Sequence, residues 1–260
     1  MSDLFVGRAA ILTDAGFAAA VDSLGVDAAA LWALVAVETG GFGFLPDRRP
    51  QILFERHIFS RRTGNRYDAA HPDISSPTPG GYHGGAAEYE RLQAAMNLDR
   101  IAALESASWG LPQVMGFHAV ALGYPGAEGM VAAFRDSEDA QLDGAVRFIR
   151  ADAALLAAFR KRDWAGVALR YNGKDYRRNA YDAKLAQRYA KFRDGGAPDM
   201  KLRAAQARLT FLGYDPKGVD GVYGPGAKAA LTAFQEREGL AVTGTLDADT
   251  SARLSQRAGV

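Results

Sequence analysis

At 260 residues the chain has room for one large domain, or for a medium domain with a small companion. A composition of 48% hydrophobic and 23% charged residues is globular and excludes global disorder. A net charge of +1, from Lys and Arg scattered along the chain, offers no basic stripe for a nucleic-acid partner, and zero cysteines remove thiol catalysis, disulfides and Cys-ligated metal together.

The N-terminal segment MSDLFVGRAAILTDAGF lacks a basic start followed by a long apolar core, so no secretory signal is expected. No run reaches about 18 apolar residues, so no transmembrane helix and no stable membrane insertion are expected. Thr13 or Asp14 can cap a short helix through Leu24, and Asp27 can cap a second that ends at Glu38, with Gly40 and Gly41 as its stop signal. A small hairpin near 42–52 is the one strand signal. Helical patterns follow at 52–61, 86–96, 130–159 in two pieces, and 181–192. The segment 65–85, rich in Pro, Gly and Ser, predicts a long loop, and loops of that length in compact domains are often functional.

The clearest composition break is RDGGAPDM, residues 193–200, where two glycines and a proline end the helical pattern and permit a flexible joint. It divides the chain into a first domain at 1–193, a linker at 194–199 and a second domain at 200–260. The second domain shows three short helical patterns, at 202–212, 226–238 and 247–256, separated by segments dense in turn residues. Its apolar residues, Leu209, Leu231, Phe234 and Leu254 among them, can support one small core.

The chemistry centres on the most apolar stretch. Residues 28–37 carry no charge, and Glu38 ends them; Leu31, Leu34, Val35 and Glu38 stand at i, i+3, i+4 and i+7 and share one helix face. A helix apolar all round belongs at the centre of a domain, where desolvation favours the protonated carboxyl. A glutamate raised from near 4.3 toward neutrality is a general acid able to protonate a leaving oxygen. Gly40, Gly41 and Gly43 leave room for a bulky ligand to approach. On spacing alone Glu38 could equally end a helix and face water, but the helix dipole disfavours a negative charge at a C-terminus.

The stretch ALWALVAVETGGFGFLPDRRPQILFERHIFSRR resembles the N-acetylmuramidase family of phage endolysins, a branch of the lysozyme-like enzymes. The resemblance continues through ALESASWGLPQVMGFHAVALGY and ALRYNGKDY and covers roughly 26–192. Three short motifs of the lytic transglycosylases recur in order: their Glu-Ser as Glu38 and Thr39, their Gly-Leu-Met-Gln as Gly110, Leu111, Pro112 and Gln113, and their Tyr-Asn-Ala-Gly as Tyr171, Asn172 and Gly173. The second carries Pro112 for Met and the third lacks one residue, so the match to transglycosylases is partial.

The resemblance implies a mainly α, lysozyme-like catalytic domain with Glu38 as the acid and Glu55, in FERH, as a second carboxylate that positions water or stabilises charge at the sugar. The plainer reading of Glu55 is an ion pair with Arg56 or Arg61. Asp47, in the charged turn PDRRP, is a rival, and Glu105 a more distant one. Ser108 and Gln113 flank a Gly-Leu-Pro turn that could hold the Gln amide against a sugar; helix capping and a buried structural amide are the alternatives. Tyr171 and Asn172 could frame the far side of a cleft, or be core and turn. Trp109, Phe117 and Tyr124 read as core.

His71, Asp73 and His83 raise a zinc peptidase as a rival, but their spacing matches no helix-borne ligand pair, so no metal and no cofactor is expected. The C-terminal stretch AAQARLTFLGYDPKGVDGVYGPGAKAALTAFQEREGLAVTGTLDADTSARL resembles the three-helix peptidoglycan-binding domain. Together these resemblances imply a modular endolysin that cuts between N-acetylmuramic acid and N-acetylglucosamine, with bacterial peptidoglycan as its partner. It is expected to be a monomer, made in the host cytoplasm and released to the wall. A lytic transglycosylase and a non-catalytic wall-binding protein are the alternatives.

Overall fold

The structure, a computed structural model, describes residues 3–260. Met1 and Ser2, where the segment read for a leader begins, lie outside the described residues. Helix α1 (Asp14–Leu24) starts where the Thr13 hydroxyl accepts the Gly16 N–H. Helix α2 (Ala28–Thr39) starts where the Asp27 carboxylate accepts the Ala30 N–H, and stops at Gly40 in the left-handed region, φ 67°. A loop closed by a bridge between Phe44 and Pro50 leads to β1 (Ile52–Phe54) and α3 (Arg56–Arg62). Next come α4 (Glu88–Leu98), α5 (Arg100–Glu105), β2 (Ala107–Trp109) and β3 (Val114–Met115). The strands form one antiparallel sheet in the order β1-β2-β3, with Leu53 opposite Ser108 and Ser108 opposite Met115. Helices α6 (Ala127–Phe134), α7 (Glu138–Ala151), α8 (Ala153–Lys161), α9 (Trp164–Tyr171) and α10 (Tyr181–Gly195) complete the larger body. Helices α11 (Met200–Phe211), α12 (Pro225–Glu238) and α13 (Ala248–Ala258) make the smaller C-terminal unit.

The fold is mainly α, as expected, and α2 is its axis. Six consecutive residues, from Ala30 through Val35, are buried, which an amphipathic surface helix would not allow. Phe17 of α1 stacks on Trp32 at 4.4 Å between ring centres, and Leu185 and Phe192 of α10 join the same cluster. A second cluster built on Phe54, Phe59, Leu92, Trp109 and Phe134 packs around the sheet.

Several elements depart from the periodicity. Residues 52–61 are a strand followed by a helix, because the backbone of Ile52, Leu53 and Phe54 finds partners in Trp109, Ser108 and Ala107, which a helical count does not see. The stretch 130–159 holds parts of three helices, α7 restarting at Ser137, which caps Ala140, and α8 at Asp152, which caps Ala154 and Leu155. Segment 65–85 forms no regular element until a 3-10 turn begins at Gly85, yet Ile74 and Ser75 are buried. Asp68 accepts the hydroxyls of Ser60 and Ser75, and Arg56 donates to the carbonyls of Pro72, Thr78 and Pro79.

The joint also differs from its composition. Helix α10 continues through Gly195, and Asp199 already caps α11 by accepting the N–H groups of Lys201 and Leu202. Phe42 and Phe44 of the larger body form one buried cluster with Ala207 and Val219 of the smaller, and the Phe211 ring lies 5.6 Å from Phe42 and 6.3 Å from Phe44. At its centre Arg203 and Glu138 form a fully buried ion pair at 2.7 Å. The two units are docked, so the joint is not the flexible one that its glycines permit.

Candidate active site

Glu38 lies in the last turn of α2, part-buried, with Tyr181 at the start of α10 donating its phenolic hydroxyl to Oε1. Burial pushes the Glu38 carboxyl up from 4.5 to about 7, and the hydrogen bond from Tyr181 pulls the other way. Burial, with the Glu38 charge nearby, raises the Tyr171 and Tyr181 hydroxyls well above 10, so both stay protonated.

The next residue ties the helix end to the turn after β2. Thr39 Oγ1 donates to Leu111 O at 3.2 Å, and the Tyr171 hydroxyl, at the end of α9, donates to Pro112 O at 2.7 Å. Within that turn Ser108 Oγ donates to Gln113 Oε1 at 2.8 Å, while Gln113 Nε2 donates to Gly110 O at 2.8 Å and to Gln51 O at 3.3 Å. Gln113 holds φ at +51°, a left-handed geometry that a non-glycine residue keeps only when its surroundings enforce it. Its amide thus makes its hydrogen bonds within the protein, to Ser108, Gly110 and Gln51. Asn172 is exposed at the end of α9, beside Tyr171.

Glu55 sits at the junction of β1 and α3, two residues past Leu53, which pairs with Ser108. Its backbone N–H donates to Ser106 O, and its Oε2 accepts the Tyr82 hydroxyl at 2.8 Å. His57 Nδ1 lies 3.0 Å from the same oxygen without the alignment of a hydrogen bond. The partners are therefore Tyr82 and His57, and neither Arg56 nor Arg61 pairs with it as the sequence suggested; Arg56 is spent on the 65–85 loop. As the residue that opens α3, Glu55 stands where a helix favours negative charge. Asp47 is paired with Arg49 on an exposed turn, and Glu105 is paired with Arg62 at the end of α5. Trp109 is fully buried, whereas Phe117 and Tyr124 are only half-buried. His71, Asp73 and His83 do not converge, and among the described residues no three His, Asp or Glu side chains do.

Two of the three glycines read as space for a ligand serve another purpose. A Cβ on Gly43 would stand 1.9 Å from Gln141 Oε1, and one on Gly41, at φ +102°, would stand 2.9 Å from Val219 O. Gly43 lets the Gln141 amide reach Leu111 N–H at 2.7 Å, and Gly41 lets the C-terminal unit close onto the helix end. Only Gly40 faces open space. Tyr181 and Tyr82, the phenols on the two carboxylates, were not singled out from the sequence. They belong to none of the three motifs, and only folding brings them 143 and 27 residues along the chain to their partners.

A raised carboxyl at the end of an enclosed helix, in a mainly α body that carries a small three-helix unit, is the arrangement that the lysozyme-like resemblance implies. The family model described as N-acetylmuramidase matches residues 27–193, and a second, described as putative peptidoglycan binding domain, matches residues 200–254. The chain belongs to the N-acetylmuramidase family. The crystal structure of the Burkholderia AP3 phage endolysin is similar at 46% identity, covering 72% of this chain and 72% of that one, with a TM-score of 0.65. No curated protein matches. The protein is accordingly a glycoside hydrolase that acts on peptidoglycan.

Proposed function

We propose that the chain is an endolysin in which Glu38 protonates the glycosidic oxygen between N-acetylmuramic acid and N-acetylglucosamine. The C1–O bond breaks as the proton arrives, a water oxygen bonds to C1, and the proton lost by that water passes to Glu55. The observation that carries this reading is the Glu38 carboxyl held near 7 by burial, under a tyrosine that stays protonated. The two carboxylates have opposed surroundings, Glu38 at a helix C-terminus and Glu55 at a helix N-terminus with a phenol donating to it. Such a contrast suits acid and base roles. Tyr171, Gln113 and Ser108 position the 110–113 turn that Thr39 ties to the end of α2, and Asn172 is offered to substrate from the rim. The likeness to a phage endolysin supports release from the host interior to the wall, with the chain working as a monomer on its polymer; residues 1–193 and 200–260 are its two working units, joined through 194–199. Among the described residues no single helix is long and apolar enough to cross a membrane.

The test is mass spectrometry of peptidoglycan digested by the wild type and by Glu38→Gln and Glu55→Gln variants. Products ending in reducing N-acetylmuramic acid, lost in Glu38→Gln, are expected. Ends in 1,6-anhydro form would transfer the activity to a lytic transglycosylase, the alternative that the three partial motifs keep open. Undiminished lysis by Glu38→Gln would remove Glu38 from the chemistry.

A further inference from the structure

A groove of about 440 Å³ runs between the two units and reaches Thr39 and Gly40 at the end of α2. Thr39, Gly40 and Gln51 line it from the catalytic side, and Thr210, Tyr214 and Asp215 from the C-terminal side. Its volume falls within the ~300–1,000 Å³ usual for small-ligand sites. From this we infer that the C-terminal module does more than tether the enzyme: it forms one wall of the substrate cleft, and the groove takes a further N-acetyl sugar of the strand being cut. The inference rests on the muramidase reading above and extends it to the module's role.

Three observations carry it. The first is proximity, because Thr39 directly follows Glu38 and bonds Leu111, and Gln51 O accepts from Gln113 in the same turn. A strand seated over the acid is thereby within reach of this groove, whose catalytic-side wall starts at the residue after Glu38. The second is fixity. Arg203 of α11 donates two bonds to Gly41 O, at 2.6 and 3.1 Å, and pairs with Glu138, which also accepts the N–H groups of Leu12 and Gly43. The module is thus bound to the same backbone segment that follows Glu38, and the spacing of the groove's walls is set before substrate arrives. The third is chemistry. The lining combines hydroxyls, an amide, a tyrosine and a proline-rich apolar surface, and its one charged group, Asp215, is already paired with Lys217. A neutral pyranose with apolar faces and hydroxyl edges fits such walls. A stem peptide, which carries free carboxylates and amines, would call for charges that the groove lacks.

Binding energy from a remote sugar can be spent at the reacting bond, so strands long enough to reach the groove should be cut faster than shorter ones. The experiment measures kcat/KM of the full chain on glycan oligomers of increasing length, prepared with and without stem peptides, for the wild type, Thr210→Trp and Pro46→Trp. The two tryptophans narrow the groove from opposite walls, Thr210 from α11 and the exposed Pro46 from the loop after α2. The wild type is expected to gain about tenfold or more in kcat/KM on lengthening, with bare glycans as with peptide-bearing ones, and both variants to lose most of that gain. The quantity compared is the long-to-short ratio within each protein, so a general loss of activity or stability in a variant does not imitate the result. A ratio unchanged in both variants overturns the inference while leaving the muramidase reading intact. A length effect seen only with stem peptides present overturns the sugar occupant in favour of a peptide. Failure of the wild type to cut any oligomer, or the peptidoglycan itself, overturns the muramidase reading, and the groove with it.

Discussion

At the scale of residues, Glu38 is governed by two opposed effects of similar origin. The surrounding protein takes water from the carboxylate, and Tyr181 gives back one hydrogen bond. Because burial wins, the acid stays half protonated near pH 7. As a proton donor it must be neutral, so kcat/KM is expected to fall as pH rises through about 7. Tyr181→Phe removes the bond that lowers the Glu38 pKa, and the alkaline limb of the pH profile is expected to move upward. A limb that stays in place or moves downward would separate Tyr181 from the titration. The same shift is written into stability. The folded state holds Glu38 near 7 where the unfolded chain releases its proton near 4.5, so stability declines as pH climbs from about 4.5 to about 7 and is level beyond. The loss amounts to about 3 kcal/mol at most. Glu38→Gln has no such titration; it is expected to match the wild type at pH 4 and exceed it in denaturant midpoint at pH 8.

At the scale of elements, the site depends on two segments held at close quarters, the end of α2 with its glycines and the turn between β2 and β3. Thr39 connects them through Leu111 O, and Gln141 of α7 braces the turn by accepting Leu111 N–H and donating to Phe134 O of α6, with Gly43 giving it passage. Gly43→Ala would drive a methyl into that amide, since its Cβ falls 1.9 Å from Oε1. The variant is expected to lose about 1–3 kcal/mol in equilibrium unfolding and to lose activity, as the turn bearing Pro112 and Gln113 shifts. This part of the site was half legible. Caps at Thr13 and Asp27 locate two helix starts, because a capping side chain and its N–H lie within one turn. The strand at 52–54 was not legible, since its partner lies 55 residues away at 107–109.

At the scale of the whole molecule, the two units behave as one body because an arginine and a glutamate are buried together between them. Both are fully enclosed, and Glu138 additionally accepts two backbone N–H groups. Removing one partner of such a pair strands the other in a dry site, at a cost of about 3–5 kcal/mol. Arg203→Ala is therefore expected to lower stability by that order in chemical denaturation, and the double variant Arg203→Met with Glu138→Gln to recover part of the loss. If Arg203→Ala unfolds at the wild-type midpoint, the docking is not held by this pair.

The sequence by itself determined that α2 is central, that Glu38 is the charge at its end, that the body is mainly helical and that a small three-helix unit follows. These features are local in the chain: apolar runs, caps a few residues from the groups they satisfy, and motifs read in order. Only the tertiary structure decided the rest. It placed Tyr181 on Glu38 and Tyr82 on Glu55, bonded the Gln113 amide to Gln51 O, gave Gly41 and Gly43 to packing, and closed the supposed flexible joint around Arg203 and Glu138. Each of these is a contact between residues far apart in the chain, and the burial that makes a charge costly or an acid neutral exists only once those distant surfaces have met.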